Sequence, residues 1–184
     1  MFKIVEINSS KANDDALREL YESSFPVGER VPYDIIIKGF DLLDIDYTGY
    51  YEDEKLLGLS IIVRLSKYNW GAYFAVKKEL RGKGLGQKLL TIILDKYKKE
   101  KNPFIIDVES PLQADAPNPE IRKRRHDFYL RNGLRDTGVY FTFNGVSLSV
   151  MSNRNEPFSQ KDYEEIANAF KPKMDELNKT NKEI

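Results

Sequence analysis

Between residues 73 and 94 the chain reads YFAVKKELRGKGLGQKLLTIIL, a strand pattern that passes through Gly82, Gly84 and Gly86 straight into an amphipathic helix pattern. This limits the fold to one in which a strand ends and a helix begins at an open, glycine-lined turn. The first turn of a helix carries amide N–H groups without internal partners and a partial positive charge, so an anion can sit there if the backbone can approach it. Glycines at alternate positions permit that approach, and Lys77, Lys78, Arg81, Lys83 and Lys88 raise the local positive potential. A dinucleotide fold requires G-x-G-x-x-G, and Gln87 stands where the last glycine would be. A Walker loop requires G-x-x-x-x-G-K-[ST], which no window supplies. The junction reads as a backbone cradle for a pyrophosphate, with an ordinary strand-to-helix connector as the alternative.

The same window is similar to motif A of the GNAT superfamily of acyl-CoA N-acyltransferases, whose pattern runs apolar-Ala-Val-x-Pro-Glu-x-Arg-Gly-x-Gly-x-Gly. Here it is Phe74-Ala75-Val76-Lys77-Lys78-Glu79-Leu80-Arg81-Gly82-Lys83-Gly84-Leu85-Gly86, with Lys78 where proline is common. The resemblance implies acetyl-CoA as co-substrate. It also implies that backbone groups of Phe74, Ala75 and Val76 pair with the pantetheine arm. Arg81, Gly82, Lys83, Gly84, Leu85, Gly86 and Gln87 would line the pyrophosphate seat, and the Val76 amide would polarise the thioester carbonyl.

Periodicity along the chain predicts the order β-α-α-β-β-β-α-β-α-β-β followed by a terminal helix. Phe2 to Ile7 alternate as a strand, Asn13 is expected to cap a first helix, and Tyr33 to Phe40 form a second. Strands are expected at 47–52, 56–65, 70–77 and 103–109, with helices over 84–100 and 120–130 and a stop at Gly133. Residues 140–143 and 146–151 flank Asn144-Gly145 as a two-residue hairpin, and Ser159 with Asp162 forms a capping box for a helix carrying Ile166, Phe170, Met174 and Leu177. With 184 residues, 41% of them apolar, one core and one domain over 1–184 are expected. Its core ends near residue 151, and the helical extension near 158–178 serves packing or dimerisation. The resemblance implies an α+β, sandwich-like GNAT fold with a mixed sheet of six to seven strands flanked by helices.

Transfer to an amine needs a way to remove a proton from the ammonium, whose pKa is about 10.4, and a donor for the departing thiolate. Residues 127–134, DFYLRNGL, resemble the superfamily's motif B, which implies that Tyr129 protonates the thiolate; a packing role for its ring is the alternative. Where many members carry asparagine and alanine ahead of that tyrosine, this chain has Arg122 and Arg125, part of the basic run 122–125 that either reaches cofactor phosphates or forms a solvated face. Glu109, closing the apolar strand, is the preferred base, with a pKa raised by an apolar wall; the alternative is that it ties down the loop after Pro111. Glu29, in the proline-bracketed loop 25–32, is the second candidate, against a surface carboxylate partnered by Arg30 or a helix terminus. His126 is expected on a wet face and outside the chemistry.

Composition narrows partners and setting. A net charge of zero gives no global support for nucleic-acid or anionic-membrane binding. No apolar run approaches a membrane span and the first residues lack a secretory pattern, so a cytoplasmic protein is expected. The absence of cysteine excludes disulfides, thiolate metal sites and a cysteinyl-acyl intermediate, so transfer should be direct, in a ternary complex, with no metal. The acceptor is expected to be a primary amine on a small molecule or peptide. Acidic residues over 41–54 either attract it or guard a strand edge. A non-catalytic acyl-CoA-binding module of the same fold is the competing reading.

Overall fold

The computed structural model describes residues 1–27, 30–143 and 145–180. Strands and helices follow in the order β1 (Phe2–Ile7), α1 (Asp15–Ser24), α2 (Tyr33–Gly39), β2 (Asp44–Glu52), β3 (Lys55–Arg64), β4 (Asn69–Val76), α3 (Leu85–Lys98), β5 (Phe104–Glu109), α4 (Pro119–Arg131), β6 (Arg135–Phe143), β7 (Val146–Ser152) and α5 (Gln160–Thr180). One seven-stranded sheet runs β1-β2-β3-β4-β5-β7-β6. All neighbours are antiparallel except β4 and β5. This is the mixed, helix-flanked α+β architecture that the resemblance implied.

Apolar periodicity decides which face each helix covers. Leu17, Leu20 and Tyr21 of α1 and Tyr33 and Ile36 of α2 pack on Tyr47, Leu59, Ile61 and Ala75. On the other face, Leu89, Leu90, Ile93 and Tyr97 of α3 recur at helical spacing and cover Ile62, Phe104, Ile106 and Val108. Covered from both sides, β3 is buried almost throughout, which is why it reads as a continuous apolar run. Each large side chain buried in this way contributes about 1.5–3 kcal/mol.

The cap of α1 is Asp14 rather than Asn13. Its carboxylate accepts the Ala16 and Leu17 N–H groups at 2.8 and 3.3 Å, while Asn13 closes a 3-10 turn. β6 begins at Arg135, earlier than expected, because a register shift between Asp136 and Tyr140 absorbs residues that break the alternation. Phe143 pairs with Val146 as a two-residue turn requires; Asn144 lies outside the described residues.

The terminal helix starts at the expected capping box, in which the Ser159 N–H donates to Asp162 Oδ2 at 2.9 Å and the Asp162 N–H to Ser159 Oγ at 3.3 Å. α5 seats Tyr163 and Ile166 with Ile105, Val139, Val150 and Phe158, on the sheet face away from α3. Phe170 meets Trp70 edge-on with ring centroids 5.3 Å apart. The side chains of Met174 and Leu177 lie outside the described residues.

The acidic segment sits elsewhere than expected. β2 is separated from β4 by β3, and Asp46 is engaged by Lys96, Tyr97 and Arg64. Burial pushes its carboxyl up, but the bonds from Lys96 and Tyr97 outweigh that and hold it below the ordinary value. Asp53 meets the chain's amino terminus and Glu54 meets Lys3. Among the described residues no helix is long and apolar enough to cross a membrane.

Candidate active site

β4 and β5 pair over only three positions, Asn69 with Phe104, Trp70 with Ile105 and Gly71 with Ile106. Just past the last pair, β4 bulges against β3: Ile62 faces Gly71 and Ile61 faces Tyr73, which leaves Ala72 as the extra residue. A bulge bends its strand and sharpens its twist, so β4 turns away from β5 and a cleft opens between them. The Lys77 N–H donates to Leu57 O at 2.9 Å, and this sets the phase of the strand. Alternation then turns the backbone groups of Phe74 and Val76 toward the cleft and those of Ala75 toward β3, where Ala75 pairs with Leu59. Of the three residues expected to bind the pantetheine arm, Ala75 is therefore corrected: its polar groups face the sheet. The Val76 carbonyl accepts Arg81 Nε–H at 2.9 Å, so Arg81 braces the strand end rather than projecting into the turn.

The turn after β4 is open. Gly82 and Gly84 have φ of 77° and 79°, the left-handed region that favours glycine, and a Cβ on either would meet nothing within 4 Å. Gly84 is the N-cap of α3 without a side-chain cap, and the first hydrogen bond of the helix is Lys88 N–H to Gly84 O at 3.1 Å. Among the described residues, none of the amides of Gly82, Lys83, Gly84, Leu85, Gly86 and Gln87 donates to a protein acceptor. Six free N–H groups at a helix N-terminus form a seat that suits a diphosphate. Lys83 is exposed beside it, whereas Lys88 is drawn off over the Phe2 ring, 4.1 Å from its centroid.

Tyr129 on α4 packs into the apolar layer that contains Val76 and Leu89, next to Phe128, whose ring lies 3.7 Å from a Cβ built on Gly86. α4 thus borders the N-terminus of α3. The hydroxyl has no protein partner among the described residues, and no buried side-chain polar atom lacks one, so the Tyr129 oxygen reaches solvent. Burial pushes the phenol up to about 12, against a smaller opposing pull from Arg125. It therefore keeps its proton at neutral pH and can donate it.

The surroundings of Glu109 differ from the expected apolar wall. The side chain is buried at the end of β5, where Oε1 meets Arg122 Nε at 3.1 Å and Oε2 meets Arg125. Within the basic run of α4, Arg122 is buried and docks the helix, whereas Arg125 pairs with Glu109 from an exposed position beside the exposed Lys123 and Arg124. The loop after Pro111 is pinned by other groups, with Ser147 N–H donating to Gln113 Oε1 at 2.9 Å and Arg122 Nη1 to the same oxygen at 2.6 Å. Glu109→Gln is expected to cost about 1.5–3 kcal/mol in denaturant unfolding, the scale of a hydrogen bond to a charged group. Turnover per folded molecule should stay within a few-fold; its collapse would restore Glu109 as the base. Glu29 lies outside the described residues. Arg30 caps the end of α1, donating to Phe25 O at 2.7 Å and to Glu22 O.

One polar site was not singled out from sequence, and His126 sits in surroundings other than those expected. Asp107, inside the apolar run of β5, accepts Trp70 Nε1–H on Oδ2 at 3.0 Å. Burial raises its carboxyl to about 7, the Trp70 bond opposing in part. An acid flanked on both sides by apolar residues within FIIDVE was the available signal. His126 is not on a wet face: its Nε2 lies 2.9 Å from Asp136 Oδ2, which also accepts Ser149 Oγ–H at 3.0 Å. Burial pushes the Asp136 carboxyl up, but the Gly138 amide, His126 and Ser149 overcome it and hold it low. The serine bonds the aspartate and not the histidine, so no serine–histidine relay exists here.

Residues 45–135 match the family model of the acetyltransferase (GNAT) domain. No curated protein matches the sequence significantly. Among solved structures, a protein assigned to the GNAT acetyltransferases from Bacteroides thetaiotaomicron is 23% identical, with a TM-score of 0.71 over 91% of this chain and 95% of its own. The ribosomal-protein-S18-alanine N-acetyltransferase of Escherichia coli is 14% identical, with a TM-score of 0.61 over 87% of this chain and 97% of its own. The PaiA N-acetyltransferase of Thermoplasma acidophilum, solved in complex with coenzyme A, is 17% identical, with a TM-score of 0.58 over 84% of this chain and 99% of its own.

Proposed function

Because residues 45–135 belong to the GNAT acetyltransferases, we propose that the protein transfers an acetyl group from acetyl-CoA directly to a primary amine of a small molecule or peptide. The observation that carries this reading is the row of unpartnered amides from Gly82 to Gln87 beside an open β4 edge. Those amides hold a diphosphate, and the cleft-facing backbone groups of Phe74 pair with the amides of the pantetheine arm. The Val76 N–H donates to the thioester oxygen, where negative charge develops as the amine attacks. Tyr129 supplies the proton for the thiolate that leaves. A chain without cysteine offers no thiol for an acyl-enzyme, so amine and thioester meet in one ternary complex. The coenzyme A complex of a structural relative supports the choice of co-substrate.

The test is calorimetry with acetyl-CoA followed by a thiol-release screen over primary amines. Binding in the range of about 1 μM to 1 mM and turnover of at least one amine are expected. Binding with no turnover across the screen would favour a non-catalytic acyl-CoA module. No binding would end the reading.

A further inference from the structure

Asp107 is the first residue of β5 beyond its last pairing with β4, at the vertex where the two strands part. One carboxylate oxygen, Oδ2, is held by the Trp70 indole of the facing strand. The other has no protein partner among the described residues and no cation pairs with the group. Since among the described residues no buried side-chain polar atom is left unpartnered, that oxygen opens onto accessible space. The indole bond, together with the packing of Trp70 against Phe170 and of Tyr163 against Phe141, fixes the side chain's surroundings. Tyr163 of α5 is the titratable group whose own ionisation registers the charge of Asp107. Asp162 and Glu165 of α5 are engaged by Tyr68 and Lys67, and Glu109 further along β5 by Arg122 and Arg125 of α4. The partner of Asp107 on β7 is the apolar Val150.

Resting on the acetyltransferase reading above, we propose that Asp107 is the general base, taking a proton from the incoming ammonium at the vertex of the β4–β5 cleft. The carboxylate accepts the proton of R–NH3⁺, and the freed lone pair forms the N–C bond to the thioester carbonyl. The C–S bond then breaks and its electron pair stays on sulfur, which takes the Tyr129 proton. The proton still carried by the amide nitrogen returns to the Tyr129 oxygen through solvent. The sum is one amide, one free thiol and one proton released. A carboxyl held at about 7 suits this work, because about half of it is ionised at neutral pH and the ionised form is a strong enough base.

The sign of the stability effect is opposite to that of a salt-bridged aspartate. In the folded chain the carboxyl keeps its proton up to about 7, while the unfolded chain releases it near the ordinary 3.8. Between those values the native state binds more protons, so stability falls as pH rises through the window.

Two measurements test the proposal. The chain has a single tryptophan, so its indole N–H resonance reports on the neighbouring carboxyl. In the wild type that signal should titrate with a midpoint near pH 7, and in Asp107→Asn it should stay flat. With an amine found in the thiol-release screen, Asp107→Asn should lower kcat by about 100-fold or more and abolish the acidic limb of the pH profile. Its acetyl-CoA affinity should be unchanged and its thermal midpoint raised above neutral pH. Trp70→Phe should shift the acidic limb upward, since the indole bond favours the ionised form. A flat indole signal in the wild type, or an Asp107→Asn variant with wild-type kcat and an intact acidic limb, would overturn the assignment while leaving the acetyltransferase reading standing. A wild-type chain that binds no acetyl-CoA or acetylates no amine would remove both.

Discussion

Gly84→Val is expected to weaken acetyl-CoA binding by at least about 10-fold, the result of losing one or two charge-assisted hydrogen bonds worth about 1.5–3 kcal/mol each. Valine at φ 79° is strained, because a β-branched side chain crowds the following carbonyl in the left-handed region. Relief of that strain rotates the turn and disperses the amides from Gly82 to Gln87. The added Cβ meets no protein atom within 4 Å, so the change does not wedge the core apart. Unfolding stability should fall by only about 1–2 kcal/mol, the cost of the backbone conformation. Gly84→Ala separates the contributions, since it shares the positive φ with a smaller side chain and should weaken binding less. Calorimetry on the folded variants reads the result. Retention of wild-type affinity in Gly84→Val would mean that the diphosphate sits elsewhere.

Tyr129→Phe is expected to lower kcat by about 10²–10⁴, the usual contribution of a positioned proton donor. The ring packs against the layer holding Val76 and Leu89, and phenylalanine keeps that packing, so the fold should be preserved. Because the hydroxyl has no protein partner among the described residues, its removal leaves no buried acceptor unsatisfied. Acetyl-CoA affinity should therefore change little. The phenol at about 12 also implies that activity shows no loss from Tyr129 ionisation until well above neutral pH. A variant with wild-type kcat would make Tyr129 a packing residue only.

The glycine turn with its unpartnered amides was legible because everything that makes it is adjacent in the chain. The strand that feeds it, the glycines at positive φ and the periodicity of Leu89, Ile93 and Tyr97 lie within one window, and backbone conformation there answers to local residue type. The capping box of α5 was legible for the same reason. Asn13 was preferred to Asp14 because both are good caps, and one residue of difference is settled by where the preceding turn ends.

The carboxylates were not legible in the same way. Glu109 and Asp107 alternate on one short strand and look equivalent as acids closing an apolar run. What separates them stands across the fold: Arg122 and Arg125 arrive from α4, and Trp70 from β4. His126 found Asp136 through a register shift in β6 that no local pattern marks.

By itself, then, the order of residues determined the element sequence, the glycine turn and the helix that carries Tyr129, since these follow from short-range sterics and periodicity. Only the tertiary structure decided which acid keeps an open oxygen at the vertex of the cleft. The free energy of a buried charge depends on the partners that other elements bring within hydrogen-bonding distance, and those partners lie far away in the chain.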